Sequence, residues 1–348
     1  MDLPVSAVCH KTAWFGTSLV CVEDVTWLLQ SCVMTVKFSE HLMYVMKLKN
    51  VMLWSIKSAR IKFSHCNKVE KMNHHDAQAS HDPLPKVWDE NTRIGDMLKG
   101  KRGLIVGVAN GDSIAFGCAA KLRAFGAEIA LTYLNDKARP HVEPLAEEIN
   151  AALLLKLDVM QPGQMQQVFS SLKDHWGSID FVIHSIAFAP REDLHGRILD
   201  CSQAGFLQAM QVSCHSFIEM AHHAEKIMNP GGSLITMSYY GADKVVQHYN
   251  VMGPVKSALE SSVRYLANEL GEQDIRVFAV SPGPLRTRAA SGIAHFDELI
   301  DMAVKRSPGR RLVDIAEVGR VVAFLVGGAS SGMTGDVIYV DAGLHIIA

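Results

Sequence analysis

The chain has 348 residues, 48% of them hydrophobic, and a formal net charge of −2 at pH 7. That length and apolar share suffice for one large core or two smaller ones, and a charge near zero removes any global electrostatic reason to expect a nucleic-acid or membrane partner. Seven cysteines with no CxxC pair, and no HExxH, exclude a disulfide framework and leave no metal to assign; isolated cysteines suit a reducing compartment, here the cytoplasm.

Residues 1 to 71 differ from all that follows. They hold three of the five tryptophans and four of the seven cysteines, with one glycine, one proline and no sustained period. Their apolar runs are broken by Glu23 and Asp24 and by Lys47 and Lys49, too soon to span a bilayer. Asp2 at the front argues against a secretory signal, and Arg60 as the sole arginine argues against a transit peptide. The stretch reads as an atypical N-terminal extension ahead of a natural start at Met72, an expectation that a native peptide from 1 to 71 in a mass spectrum would overturn. Residues 72 to 96 are polar and proline-punctuated, a loose leader whose His74, His75 and His81 belong to a solvated tail.

From 97 to 348 short apolar runs alternate with amphipathic stretches. Strands are expected over 103–109, 128–133, 153–159, 181–185, 233–238, 276–280 and 337–340. Helices are expected over 113–125, 141–149, 164–176, 205–228 and from the Tyr249 segment to about Leu270. This alternation predicts the α/β class, a single doubly wound Rossmann domain with a seven-stranded parallel sheet and helices on both faces.

Ligands of such sheets collect at the carboxyl ends of the strands. After the first strand, Gly107-Val-Ala-Asn-Gly-Asp-Ser113-Ile114-Ala115 turns through small residues into a helix start, where backbone amides can hold a pyrophosphate. It is not the GxGxxG pattern, and alone it reads as well as an ordinary tight turn. The second strand ends at Tyr133-Leu134-Asn135-Asp136 with no arginine or lysine directly there, which favours an unphosphorylated adenosine ribose, while Lys137 leaves a 2′-phosphate open. Asp158-Val159 closes the third strand, where the carboxylate suits an adenine contact or a turn, and Ser185-Ile186-Ala187 closes the fourth with small residues.

Tyr249 and Lys256 stand seven positions apart in Tyr-Asn-Val-Met-Gly-Pro-Val-Lys at the head of a helix. Seven residues is about two turns, so both side chains leave one face. The phenol can donate to a developing oxyanion, and the ammonium can lower the phenol's pKa and bond a ribose hydroxyl. By itself a pair at this spacing is far more often two snorkelling side chains on an amphipathic helix.

Together these stretches resemble the short-chain dehydrogenase/reductase superfamily, and within it the FabI-type enoyl-acyl-carrier-protein reductases. The resemblance covers 99 to 348 and rests on the Gly107 loop, Thr132-Tyr-Leu-Asn-Asp136, His184-Ser-Ile-Ala-Phe-Ala-Pro190, Ser238-Tyr239-Tyr-Gly-Ala242, Tyr249-Asn-Val-Met-Gly253 with Lys256, Gly283-Pro-Leu-Arg-Thr287 and Ala290-Ser-Gly-Ile293. The rival Tyr-x3-Lys spacing of other short-chain reductases occurs at Tyr240 and Lys244, yet the residue thirteen before Tyr240 is Ile227 rather than serine, so the match is fortuitous.

The resemblance implies NADH, in preference to NADPH, as cofactor, a trans-2-enoyl thioester on acyl carrier protein as substrate, and a homotetramer. It implies Tyr249, Lys256 and Tyr239 as catalytic residues. For the cofactor it implies Gly107, Ser113, Ile114, Leu134, Asp158, Val159, Ser185, Ile186, Ala187, Lys256, Leu285 and Thr287; for the substrate, Ala189, Tyr239 and Tyr249. The segment from about 289 to 311 corresponds to a substrate lid. Four departures stand out: Pro254 in the tyrosine-lysine segment, Ser281-Pro282-Gly283 for Ser-Ala-Gly, Asp341-Ala342-Gly343 for Asp-Gly-Gly, and His295, Asp297 and Glu298 where relatives carry basic residues. Pro254 is tolerable only in the first helical turn, and Lys305, Arg306, Arg310 and Arg311 are the remaining basic residues for an acidic carrier. Competing readings are a short-chain reductase for other carbonyls or coenzyme A thioesters, and a non-catalytic dinucleotide-binding protein.

Overall fold

The computed structural model describes residues 94–287, 290–292 and 295–347. The extension, most of the leader and parts of the expected lid lie outside the described residues. The chain divides between Pro83 and Leu84, and everything described belongs to the second unit.

Seven strands form one sheet: β1 (Arg102–Val106), β2 (Glu128–Tyr133), β3 (Leu153–Lys156), β4 (Ile179–His184), β5 (Met228–Met237), β6 (Arg276–Pro282) and β7 (Val337–Val340). Their order is β3-β2-β1-β4-β5-β6-β7, and each neighbouring pair is parallel. Alternate side chains feed two cores. Leu104, Val106, Val182, Leu234 and Val277 enter one, and Ile105, Ile129, Phe181, Ile183 and Phe278 enter the other. Being covered on both faces, the strands read as continuous apolar runs.

The helices are α1 (Ile114–Ala124), α2 (Arg139–Glu148), α3 (Gln164–Trp176), α4 (Gln203–Met210), α5 (Ser216–Ala224), α6 (Met252–Leu270), α7 (Phe296–Arg306) and α8 (Ile315–Val326). α1, α2 and α8 contribute to the second core, and α3 to α6 to the first. The chain therefore passes from one face to the other between β1 and β4, the switch point at which open sheets of this kind bind ligands.

Two expected elements differ. The single helix over 205–228 is α4 and α5 joined by a π-helical turn, Gln211–His215, and it ends at Ala224; Met228 already belongs to β5. The turn takes up an extra residue so that Ser213 faces inward, fully buried. α6 begins at Met252, which puts Pro254 third in the helix, where its missing amide hydrogen is one the helix cannot use. The methyl of Ala342 sits on backbone at φ 56°, a left-handed conformation that favours glycine.

Candidate active site

The loop after β1 is shaped by Gly107. Its φ is 111°, and a Cβ there would lie 2.0 Å from the Ser185 carbonyl oxygen, so only glycine lets β1 and β4 end side by side. Ser113 caps α1: its Oγ accepts from the Phe116 amide and donates to the Asn110 carbonyl at 2.7 Å. Asn110 Oδ1 is buried with no partner in the protein. Gly107, Ser113, Ile114, Ser185, Ile186, Ala187, Lys256 and Thr287 together line a cleft of about 170 Å³.

This cleft opens into a larger cavity of about 400 Å³, with Ile114, Ala187, Ser238 and Thr287 common to both. Ala189, Tyr239, Tyr249 and Leu285 line the cavity, with Phe188, Leu194, Met252 and Phe296 as apolar wall. The Tyr239 and Tyr249 rings pack at 4.9 Å between centroids. Gly241 makes room for them, since a Cβ there would lie 2.6 Å from the Tyr249 ring. Tyr239 Oη is buried beside the Tyr240 phenol without a well-formed hydrogen bond. Burial pushes both phenols above the ordinary tyrosine range, and the Glu260 carboxylate adds to this at Tyr249.

At Tyr249 burial, with Glu260 second, sets the direction. Tyr249 lies in the turn before α6 rather than on the helix, and Lys256 Nζ donates to the Met237 carbonyl at 2.7 Å. Burial lowers Lys256 itself to about 8, with Cys214 and Glu260 opposing the shift. The helical spacing is thus not literal, yet the two side chains flank one seam, Tyr249 on the cavity and Lys256 on the cleft.

Leu134, Asp158 and Val159 do not line either space; they stand beyond β2 and β3. Asp158 Oδ1 accepts from the Met160 amide at 3.0 Å, the turn-forming use. Two of the cations near the end of β2 are paired, Lys156 with Asp136 at 3.0 Å and Arg139 with Glu143 at 2.8 Å, while Lys137, the one that leaves a 2′-phosphate open, is in neither pair. On the segment expected as a lid, the Gly292 carbonyl accepts from His195 Nε2 at 2.8 Å, and Asp297 pairs with Arg286 at 2.7 Å. Arg311 is committed to Glu317 in the capping box of α8, and Arg310 donates to the Lys305 carbonyl.

Sequence reasoning passed over Ser238, Ser213 and Glu260. Ser238 was visible only as the residue before Tyr239. Ser213 Oγ accepts from the Phe188 amide at 2.9 Å and donates to its carbonyl at 3.1 Å, fixing the cavity wall; no local pattern announces a π-helical turn. Glu260 sits four residues after Lys256 on the buried side of α6, a spacing that points to the same side of the helix.

Among the described residues no helix is long and apolar enough to cross a membrane, and no cluster of three His, Cys, Asp or Glu could hold a metal ion. A family model described as Enoyl-(Acyl carrier protein) reductase matches residues 107–345. Enoyl-acyl-carrier-protein reductase (NADH) 1 of Rhizobium meliloti (strain 1021) is 48% identical over 251 residues, 72% of this chain and 92% of that protein. Enoyl-acyl-carrier-protein reductase (NADH) FabI of Rickettsia bellii (strain RML369-C) is 42% identical, over 72% of this chain and 96% of its own. Two solved structures are similar. The enoyl-acyl-carrier-protein reductase (NADH) of Aquifex aeolicus VF5 has a TM-score of 0.71 at 40% identity, covering 72% of this chain and 99% of that one. The reductase of Anaplasma phagocytophilum, in complex with NAD, has a TM-score of 0.70 at 43% identity, covering 74% and 96%.

Proposed function

The chain belongs to the enoyl-(acyl carrier protein) reductase family, and on that premise we propose how it reduces the trans-2 double bond of an enoyl thioester in fatty-acid elongation. It is an NADH-dependent oxidoreductase. The lining fits a dinucleotide: a glycine turn, first-turn amides of α1 that the helix itself cannot use, and a cleft running on to Lys256, with Asn110 Oδ1 as a buried acceptor nearby. Neutralisation of Lys156 and Arg139 by Asp136 and Glu143 supports an unphosphorylated ribose. NADH, when bound, supplies the hydride for the β-carbon of the substrate.

The chain's own residues do the rest. The seam between the cleft and an apolar cavity bordered by Tyr249 is the observation that carries this reading. Tyr249, held well above its ordinary pKa, keeps its proton and donates to the thioester oxygen as enolate charge develops there. Lys256 holds a ribose hydroxyl and keeps the site positive. Tyr239 lines the acyl pocket in a supporting role. Ala189, Leu194 and Phe296 sheathe the acyl chain and exclude water. Gly107, Ser113, Ile114, Ser185, Ile186 and Ala187 hold the cofactor's pyrophosphate and nicotinamide side, Leu285 and Thr287 its nicotinamide end, and Leu134, Asp158 and Val159 its adenosine end. The segment 289–311 acts as lid, the acyl carrier protein presents the substrate, and the enzyme works in the cytoplasm, which the free Cys118, Cys201 and Cys214 support.

A homotetramer completes the proposal. Phe206 and Leu207 of α4, Ile218 of α5 and Tyr265 of α6 leave apolar surface exposed on three helices that pack together, which supports burial between subunits.

NADH oxidation with crotonyl-acyl-carrier-protein, set against ketones as substrates, tests the reaction. Tyr249→Phe lowers kcat by about 10²-fold or more, the loss of one oxyanion donor, while NADH affinity holds. Unchanged turnover in that variant removes the phenol's role.

A further inference from the structure

Ser238 stands at the seam, at the end of β5, and lines both the cleft and the cavity. Its hydroxyl is spoken for from behind: Ser238 Oγ donates to Glu260 Oε1 at 2.5 Å, with Glu260 only 9% exposed. One turn earlier on α6, Lys256 Nζ donates to the carbonyl of Met237, the residue before Ser238. Among the described residues Lys256 and Glu260 form no ion pair with each other; each grips the end of the strand. This grip bears on the charge of Lys256 and so rests on the role proposed for that residue above, and on the proposed reaction for its kinetic readout.

We propose that Glu260 is a positioning residue: its carboxylate fixes the Ser238 hydroxyl as an acceptor toward the seam and holds the positive charge on Lys256. A serine hydroxyl has one hydrogen, so while Glu260 takes it, Ser238 offers only lone pairs to the donors in the cleft. A neutral Glu260 would reverse this and let Ser238 donate into the cavity. The charge also matters: burial drives Lys256 toward its neutral form, opposed by Cys214 and then by the Glu260 carboxylate one turn along the buried side of α6. Burial raises the pKa of Glu260 itself, and the Ser238 hydrogen bond works against that rise. Groups facing Glu260 are Lys256 and Arg264 on its own helix, Ser238 directly after β5, Asp243 in the turn beyond it, Tyr249 ahead of α6 and Tyr339 of β7. Those facing Lys256 are Cys214 of the π-helical turn, His184 of β4 and Glu260 itself.

The test is Glu260→Gln in the full chain, which keeps the shape of the side chain and removes its charge. With the protein labelled at lysine Cε, the Lys256 resonance, assigned by its loss in Lys256→Arg, is titrated by NMR without substrate. The titration midpoint falls by about one pH unit in Glu260→Gln, and Glu260→Asp restores most of it. The alkaline limb of kcat for enoyl-thioester reduction moves down in parallel, and kcat itself drops by about tenfold. Ser238→Ala shares the loss of kcat but leaves the Lys256 midpoint near the wild-type value. A Lys256 midpoint unmoved in Glu260→Gln, or a fall in kcat that Glu260→Asp does not relieve and that tracks lost thermal stability, overturns the inference. Absence of enoyl-thioester turnover in the wild-type protein would sink the reaction instead, leaving the NMR result to decide on Glu260.

Discussion

His184 illustrates how much a single buried side chain commits. It is fully buried at the end of β4, with Nδ1 2.8 Å from Thr236 Oγ1 and Nε2 2.9 Å from Ser216 Oγ. Ser216 donates its own hydrogen to the Val212 carbonyl, so it accepts from Nε2–H, and Nδ1 accepts from Thr236. The ring is therefore held neutral, and burial, with the Lys256 charge second, lowers its pKa from 6.5 to about 3. An unfolded chain binds a proton here below pH 6.5 that the folded one refuses, so stability falls as pH drops from 6.5 toward 3, by about 1.4 kcal/mol per pH unit at its steepest. Urea unfolding between pH 6.5 and 5 checks this, and the slope flattens in His184→Gln. At this scale the sequence carried Tyr249, Lys256 and Tyr239, whose types state their chemistry. It did not carry His184 or Glu260, because burial and partners, rather than residue type, give those two their roles.

Elements were legible where periodicity decides them. Helix α3 has the bounds expected from its pattern, Gln164–Trp176, and all seven strands appear where apolar runs fall. Patterns fail where tertiary contacts rewrite the backbone. The π-helical turn is the clearest case, since it exists to aim Ser213 at both backbone groups of Phe188. Ser213→Ala takes the partner from the Phe188 amide and carbonyl and costs about 0.5–1.5 kcal/mol. Thermal unfolding measures the loss, and KM for the enoyl thioester rises with NADH affinity unchanged, because Phe188 lines the cavity and not the cleft. Tyr249 likewise lies in a turn where a helix was expected, with His248 and Asn250 on either side at φ 63° and 40°. Asn250 Nδ2 donates to the Leu194 carbonyl at 2.7 Å, a contact across 56 residues that no local pattern encodes.

For the molecule as a whole, the alternation of runs sufficed for the sheet and its class, because a doubly covered parallel sheet leaves few other uses for so many apolar segments. The order of the strands and the place of the switch between β1 and β4 come from pairing that only the folded chain displays. Sedimentation equilibrium measures the proposed assembly: a mass of four chains is expected, and a concentration-independent monomer would dismiss it. Tyr265→Glu, which puts a charge on a side chain 70% exposed in the single chain, shifts that equilibrium toward smaller species.

A sheet in which each strand runs parallel to its neighbours has no hairpin in it, and this bears on how the protein reaches its fold. Every pairing, such as Gly103 with Phe181 or Ser233 with Arg276, closes a loop that contains at least one full crossover. Loop-closure entropy is spent before those contacts return anything, so refolding is slow for the chain's size and leaves unpaired strand edges exposed on the way. The seam draws on β1, β4, β5 and α6 at once; catalytic competence therefore arrives late, with the central strands together, and no partly assembled sheet can oxidise NADH.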